Sequence, residues 1–389
     1  MMFRVPFNRA CLAGREYDYI AEAVRNGQIS GDGPFTKKCQ EWLREYFRAT
    51  AVLLTTSCTD ALEMAAILLN IQPGDEVIIP SFTFVSAPNA FVLRGARPVF
   101  VDIRPDTLNM NELMLEALVT ERTKAVVPVH YGGIACEMDA ILEIANRHGL
   151  AVVEDNAHGL FGTYGARPLG SMGVFAAQSF HETKNITCGE GGALVINHAA
   201  YVERAEIIRE KGTDRSRFFR GQTDKYTWVD AGSSFLPSDI LAAFLWAQLE
   251  QREQIQAKRR RVWNNYFEAL QTLTRSYPIS LPFVPEHCVQ PYHLFYILVD
   301  SVATRQALID HLKARGILSV FHYLPLHLSR MGIAFGGLKG QCPVTEDVSD
   351  RLLRLPFYTA ITEAEQAEVV EGIRHFYDHA IRSARLAYA

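Results

Sequence analysis

The sequence predicts an α/β protein: a large domain on a mostly parallel seven-stranded sheet, then a smaller C-terminal α/β domain. Three observations carry this reading. Seven short apolar runs recur in the first half of the chain with helix-like stretches between them, and strands alternating with helices build a parallel, doubly wound sheet. The runs are mostly continuous rather than alternating, as in strands covered on both faces. After about residue 200 the texture changes to long charged helical stretches, and a second, shorter α/β pattern follows.

The seven runs are Val52–Leu54, Glu76–Pro80, Pro98–Asp102, Ala125–Val129, Ala151–Glu154, Val174–Phe180 and Ala193–Ile196. Among the helices between them, Met138–His148 sets Met138, Ile141, Leu142 and Ala145 on one face, and Gly149 follows as a C-terminal cap. Helical stretches then cover Ala199–Gly212 and Ser238–Leu273, before a Pro-rich segment, Ser276–Pro291. The second pattern reads as strand His293–Val299, helix Thr304–Arg315, strand Leu318–Tyr323 and a final helix after Thr362. The domain boundary falls near residue 250. Residues 1–250, N-terminal arm included, make the large domain and 251–389 the small one.

Composition narrows the function classes. The 389 residues are 48% hydrophobic and 21% charged, which is ordinary globular usage. A formal net charge of -4 argues against a general nucleic-acid binder, which needs a basic face. The 7 cysteines are widely spaced with no CxxC pair, and the 12 histidines include no HExxH pattern. A metal site and a disulfide framework are therefore not expected, and a reducing cytoplasm is. No uncharged apolar run approaches membrane-span length, so no membrane association is expected.

In an open α/β sheet, ligands bind beyond the carboxyl ends of the strands. Four segments sit there. Thr55 to Asp60 joins a strand to an apolar helix, with Ser57 and Asp60 spaced as a capping box; it is either a plain cap or a phosphate seat. Asp155 follows a strand directly and either caps a loop or accepts a hydrogen bond from a protonated ring nitrogen. His158, close behind, reads alone as a structural histidine. Lys184, in Ser179-Phe180-His181-Glu182-Thr183-Lys184, precedes the turn Gly189-Glu190-Gly191-Gly192. It is either a solvated loop lysine or one whose lowered pKa lets it form a Schiff base with a carbonyl cofactor. The Ser81-Phe82-Thr83-Phe84 tract supplies either core aromatics or a plate for a planar ring. Together these are the parts that a pyridoxal phosphate site requires.

At these residues the sequence resembles the fold-type I, pyridoxal-phosphate-dependent sugar-nucleotide aminotransferases of the DegT family. The motifs run in that family's order: Ser30-Gly31-Asp32-Gly33-Pro34, Pro80 to Phe84, Val153-Glu154-Asp155, Ser179 to Lys184, then Gly189 to Gly192. The tracts SFHETKN (179–185), IREKGTDRSRFFRGQTDKYTW (208–228) and VFHYLPLH (320–327) are most similar to members that make dTDP-4-amino-4,6-dideoxygalactose for bacterial surface polysaccharides such as lipopolysaccharide and enterobacterial common antigen.

The resemblance implies roles. Lys184 is the catalytic residue, which takes the cofactor and moves the substrate proton. Asp155 pairs with the pyridine nitrogen, Phe84 stacks on the ring, and His158 lies near the phenolic oxygen. The Ser57 and Cys58 amides and the Ser179 hydroxyl hold the phosphate. Where many relatives send an Asn across a dimer interface, this chain reads Ser233-Ser234-Phe235-Leu236-Pro237, so Ser234 is the candidate substitute. Arg215 and Arg220, in a tract of basic residues from Arg209, suit a nucleotide diphosphate or a solvated loop. His322 and His327 are candidates for the substrate mouth. Lys258 to Arg261 reads as the solvent face of a helix. The implied activity is amination of a dTDP-4-keto-6-deoxyhexose with L-glutamate as donor, in a homodimer. The alternatives are another nucleotide sugar or a non-enzymatic regulator that binds the cofactor.

Overall fold

The computed structural model describes residues 3–387, with side chains as far as residue 379. The first half of the chain contributes β1 (Ala51–Thr55), β2 (Glu76–Pro80), β3 (Arg97–Val101), β4 (Thr123–Val126), β5 (Ala151–Asp155), the small hairpin β6 (Thr163–Tyr164) and β7 (Arg167–Pro168), β8 (Phe175–Ser179) and β9 (Gly192–Ile196). Seven of these form one sheet in the order β1-β9-β8-β5-β4-β2-β3. They are the seven expected runs, with ends displaced by at most three residues. The sheet is parallel from β8 to β3, and β9 alone runs antiparallel to both of its neighbours.

The strands are apolar on both sides because helices cover both faces. On one face, Val77, Ile79, Val153 and Ala177 pack under the helices Cys58–Leu68, Ser86–Val92 and Val202–Arg209. On the other, Val52, Leu54, Ala176 and Val195 pack under Glu16–Arg25, Pro34–Phe47 and Asp239–Glu250. Ile78, Val126 and Val152, also on that side, meet Met138–His148. That helix ends on Gly149 in the left-handed region (φ 66°), as its C-terminal cap was expected to do.

A second core lies further along the chain. β10 (Cys288–Val289) extends the β6–β7 hairpin, whereas β11 (Tyr296–Leu298), β12 (Val320–Phe321) and β13 (Leu352–Arg354) form an antiparallel sheet in the order β11-β13-β12. Phe295, Ile297 and Leu353 pack there against the helices Arg252–Gln271, Val302–Ala314 and the helix that begins at Glu363. The stretch expected as one helix over Ser238–Leu273 breaks at Gln251, which leaves helical geometry (φ -99°, ψ 13°) and lets the second segment turn toward this core.

The N-terminal arm, expected with the large domain, is shared between the two cores: Ala13 packs with the helices of the large sheet. Val5 is fully buried in the second core and bridges to Ile317. The two cores are also tied by Asp102, just past β3. Its buried carboxylate accepts hydrogen bonds from the Val344 amide (2.9 Å), the Thr345 amide (2.8 Å) and the Thr345 hydroxyl (2.7 Å). Among the described residues, no helix is long and apolar enough to cross a membrane.

Candidate active site

The site grows from the ends of β1, β5, β8 and β9. Register pairs Ser179 with Gly192, and Gly192 with Thr55, so the three lie in one row. Just beyond Thr55 the chain turns into the helix Cys58–Leu68. Ser57 caps it, its hydroxyl accepting from the Asp60 amide at 3.1 Å. The helix start packs directly on Gly192. A Cβ there would stand 2.4 Å from the Cys58 nitrogen and 2.5 Å from the Ser57 carbonyl oxygen. Only glycine permits this approach, which brings an amide-rich helix terminus to the sheet end.

Asp155 ends β5, level with Ala177 on β8, and is buried. Its carboxylate accepts from the Ala157 amide at 3.1 Å. Burial pushes its pKa above the usual carboxylate value, against the Ala157 hydrogen bond and the charges of Lys184 and His130. Its neighbour Glu154 points the other way into a fully buried nest. It accepts from the Gly170, Met172 and Gly173 amides at 2.8, 2.7 and 2.6 Å and meets His130 Nε2 at 2.9 Å. Burial alone would raise Glu154, but His130 and the amides outweigh it and hold its pKa below the ordinary value. The strand end that presents Asp155 is thereby anchored from behind.

Lys184 is half-buried in the loop after β8, its amide donating to the His181 carbonyl at 2.9 Å. Desolvation of the ammonium is the main influence and drives its pKa down to about 8. Cys58 and Asp155 pull it upward, and the Arg354 guanidinium pushes it further down. A substantial fraction of this amine is neutral near neutral pH, which an ordinary lysine is not.

Three buried imidazoles form one wall. The Gly132 amide donates to His158 Nδ1 at 3.2 Å, so the neutral ring carries its proton on Nε2. His158 stacks on His293 with centroids 4.2 Å apart, and His293 Nδ1 meets the Asn185 side-chain oxygen at 2.9 Å. His322 Nδ1 pairs with the Tyr131 hydroxyl at 2.7 Å. Burial first, then nearby charges, pushes His158 and His322 well below the ordinary histidine value; His293 follows by burial, then the charges of His158, Lys184, Arg259 and Arg354. All three are neutral at physiological pH. Tyr323 stacks on His322 at 3.6 Å, and Phe84, 58% exposed, lies 6.5 Å from the Tyr323 ring. Phe82, by contrast, is a core ring.

Other expected residues lie elsewhere. His327 does not line a substrate mouth: it is fully buried, with Nδ1 2.6 Å from the Ser81 hydroxyl and Nε2 3.1 Å from Glu346. Both nitrogens are occupied, so it is a second tie between the cores. Arg209 is buried, donating to Asp32 at 2.8 Å and Gln40 at 2.7 Å, and holds the Gly31-Asp32-Gly33 turn rather than facing solvent. Arg259, read as part of a solvent face, is buried instead and donates to the Tyr292 and His293 carbonyls. Arg215 lies over the Phe219 ring, and Arg220 pairs with Glu206 at 2.8 Å, both on the outer surface. Ser234 is exposed beside Phe235, whose carbonyl accepts the Thr56 amide at 2.9 Å, so it borders the helix start from outside. Sequence reasoning passed over Tyr131, His293, Tyr323 and Arg354, because each lies far along the chain from the motifs it joins.

This donor set fits pyridoxal phosphate. It combines a poised amine, a buried carboxylate, a neutral imidazole with an N–H to give, an open aromatic face and a helix start kept close by Gly192. Comparison with known proteins agrees. Residues 10–374 match the DegT/DnrJ/EryC1/StrS aminotransferase family. The spore coat polysaccharide biosynthesis protein SpsC of Bacillus subtilis is 33% identical over 378 residues, 95% of this chain and 96% of that one. Spr1654 of Streptococcus pneumoniae in its PLP-form superposes with TM-score 0.89 at 26% identity, covering 96% of this chain and 99% of that one. DesV of S. venezuelae, solved in complex with a ketimine intermediate, superposes with TM-score 0.86 at 30% identity, covering 96% and 99%.

Fold and matches together define a fold-type I, pyridoxal-phosphate-dependent sugar aminotransferase. Within that class, the chain belongs to the DegT/DnrJ/EryC1/StrS aminotransferase family.

Proposed function

We propose that the protein aminates C4 of a dTDP-4-keto-6-deoxyhexose, giving the galacto-configured dTDP-4-amino-4,6-dideoxyhexose, with L-glutamate as amino donor. The observation that carries the catalytic half of this reading is the placement of Lys184, its pKa drawn down to about 8, beside Asp155 at the strand ends. The tracts 179–185, 208–228 and 320–327 support the sugar, and SpsC, named for spore coat polysaccharide biosynthesis, supports a role in polysaccharide synthesis.

When bound, pyridoxal phosphate supplies an electron sink for the carbon that gains or loses the amino group. The chain does the rest. Lys184 Nζ would take the proton from the donor's α-carbon in the first half-reaction and deliver one to C4 of the sugar in the second. Asp155 pairs with the pyridine nitrogen and keeps it protonated. His158 gives its Nε2 proton as a hydrogen bond to the phenolic oxygen. The Ser57 and Cys58 amides with the Ser179 hydroxyl hold the phosphate, and Phe84 covers the ring. Ser234, Arg215 and Arg220 lie on the outer surface, where a second copy of the chain in a homodimer would bring them to a neighbouring site, Arg215 and Arg220 for the diphosphate. His322 borders the sugar.

The test is the visible absorbance of the loaded enzyme. L-Glutamate should bleach it, and the dTDP-4-keto sugar should restore it with formation of the amino sugar. Lys184→Ala should abolish both changes. A Lys184→Ala enzyme that still turned over would refute the mechanism, and restoration by a different nucleotide sugar alone would refute the substrate.

A further inference from the structure

We propose that His293 is a positioning residue of the aminotransferase reaction, one ring that sets the orientation of Lys184 and His158 together. This rests on the aminotransferase reading and extends it to a side chain with no assigned part. His293 acts through its two neighbours rather than on the reacting carbon. On one side its Nδ1 lies 2.9 Å from the Asn185 side-chain oxygen, and Asn185 directly follows Lys184 in the chain. On the other side its ring lies against His158, with centroids 4.2 Å apart and planes tilted by only 22°. The His293, Asn185 and His158 side chains are all buried. Lys184 and His158 belong to separate loops, after β8 and β5, and His293 spans them.

The hydrogen bonds fix which way each group faces. Asn185 donates from its amide nitrogen to the Pro291 carbonyl at 2.6 Å and to Gln256 at 3.3 Å. A backbone carbonyl can only accept, so the Asn185 nitrogen must face Pro291 and its oxygen must face His293. His293 therefore donates from Nδ1. Its pKa is held far below the ordinary value by burial, then by the charges of His158 and Lys184, so the ring stays neutral with its proton on that nitrogen. His158 has the opposite tautomer, because its Nδ1 accepts from the Gly132 amide. The backbone behind His293 is built to hold it. Tyr292, one residue earlier, sits in the left-handed region at φ 55°, where bulky residues rarely go. Strain of that kind persists only where the surroundings over-determine it. The buried Arg259 supplies the restraint, donating to the Tyr292 carbonyl at 3.0 Å and the His293 carbonyl at 2.6 Å. Small errors in placing a catalytic group cost much rate, and a site keeps its geometry when the groups behind it are locked.

The experiment separates the two contacts. His293→Phe keeps a ring against His158 and removes the donor to Asn185. His293→Asn keeps a donor at the place of Nδ1 and removes the plate. The pH at which capture of pyridoxal phosphate by apo-enzyme levels off reports on Lys184, and histidine-ring NMR of the apo-enzyme reports on His158. His293→Phe should loosen the Lys184 loop, admit water to the ammonium and raise the levelling pH from about 8 to about 9. The loaded variant should lose roughly 10-fold in kcat with KM within twofold of wild type, and His158 should stay neutral. His293→Asn should leave the levelling pH where it was and move His158 up toward the ordinary value of about 6.5. Equal effects of both variants on both readouts would show a merely structural part and overturn the proposal, as would variants that move neither. Wild-type enzyme gives a test that does not depend on the variants folding. Nitrogen NMR of its imidazoles should show His293 protonated on Nδ1 and His158 on Nε2, and the other tautomer at His293 overturns the proposal. If the wild type takes up no pyridoxal phosphate, the aminotransferase reading itself has failed, a result distinct from the others.

Discussion

Gly192→Ala is the sharpest probe of the proposed phosphate seat. The new Cβ would lie 2.4 Å from the Cys58 nitrogen and from the Ser57 carbonyl carbon, about 1 Å inside the 3.4 Å at which ordinary contact begins. All of its nearest atoms are backbone, so no flexible side chain can swing aside. The start of the helix Cys58–Leu68 must move by roughly that distance, or β9 must. Either shift carries the Ser57 and Cys58 amides away from Ser179. Losing one charge-assisted hydrogen bond to the phosphate costs roughly 1.5–3 kcal/mol, a 10- to 100-fold weaker cofactor. The assay is titration of apo-enzyme with pyridoxal phosphate, followed by absorbance. Gly189→Ala is the control. It sits in the same turn at φ +88° with nothing within 4 Å of its Cβ, so it strains the backbone without touching the helix. Gly192→Ala affinity within twofold of wild type would refute the reasoning. So would an equal loss in Gly189→Ala, which would show that the turn matters and the seat does not.

Two further outcomes follow from the site and its supports. With Lys184 as the proposed nucleophile, reactive only when neutral, capture of pyridoxal phosphate by apo-enzyme should quicken as pH rises and level off above about 8, the value to which Lys184 is drawn; stopped-flow absorbance that keeps rising toward the ordinary lysine range near 10.4 would contradict this. Asp102→Ala strands the Val344 and Thr345 amides and the Thr345 hydroxyl inside the protein, and urea unfolding should show a loss of about 3 kcal/mol.

The seven-stranded sheet was legible because its strands are buried on both faces and therefore read as unbroken apolar runs. The reversed direction of β9 was not, since a five-residue run carries no sign of its polarity. β13 escaped notice because Leu352–Arg354 is three residues long and reads as the approach to Pro356. Lys184, Asp155, Phe84 and the capped helix start could be found because each sits beside a strand end in sequence as well as in space. Histidines and arginines were the weak point. His327 reads as a substrate-mouth candidate and Arg259 as part of a solvent face, yet Ser81 and Glu346 enclose the first and the Tyr292 and His293 carbonyls the second. Their partners lie up to 246 positions away, and no local pattern reports that. His158 was read as structural from its own surroundings and near the cofactor by resemblance; its tautomer needed Gly132.

Synthesis runs from the amino end, and domains fold largely in that order. The strands of the large sheet are all complete once residue 196 has been made. Val5 must still wait for Ile317, its bridging partner, and Phe7 for Arg354, which it underlies. Val5 and Phe7 are thus made long before the residues they pack against. A nascent chain stalled before residue 317 would hold a finished sheet and an idle arm. The ground around Arg354 is therefore assembled only well after the large sheet is complete.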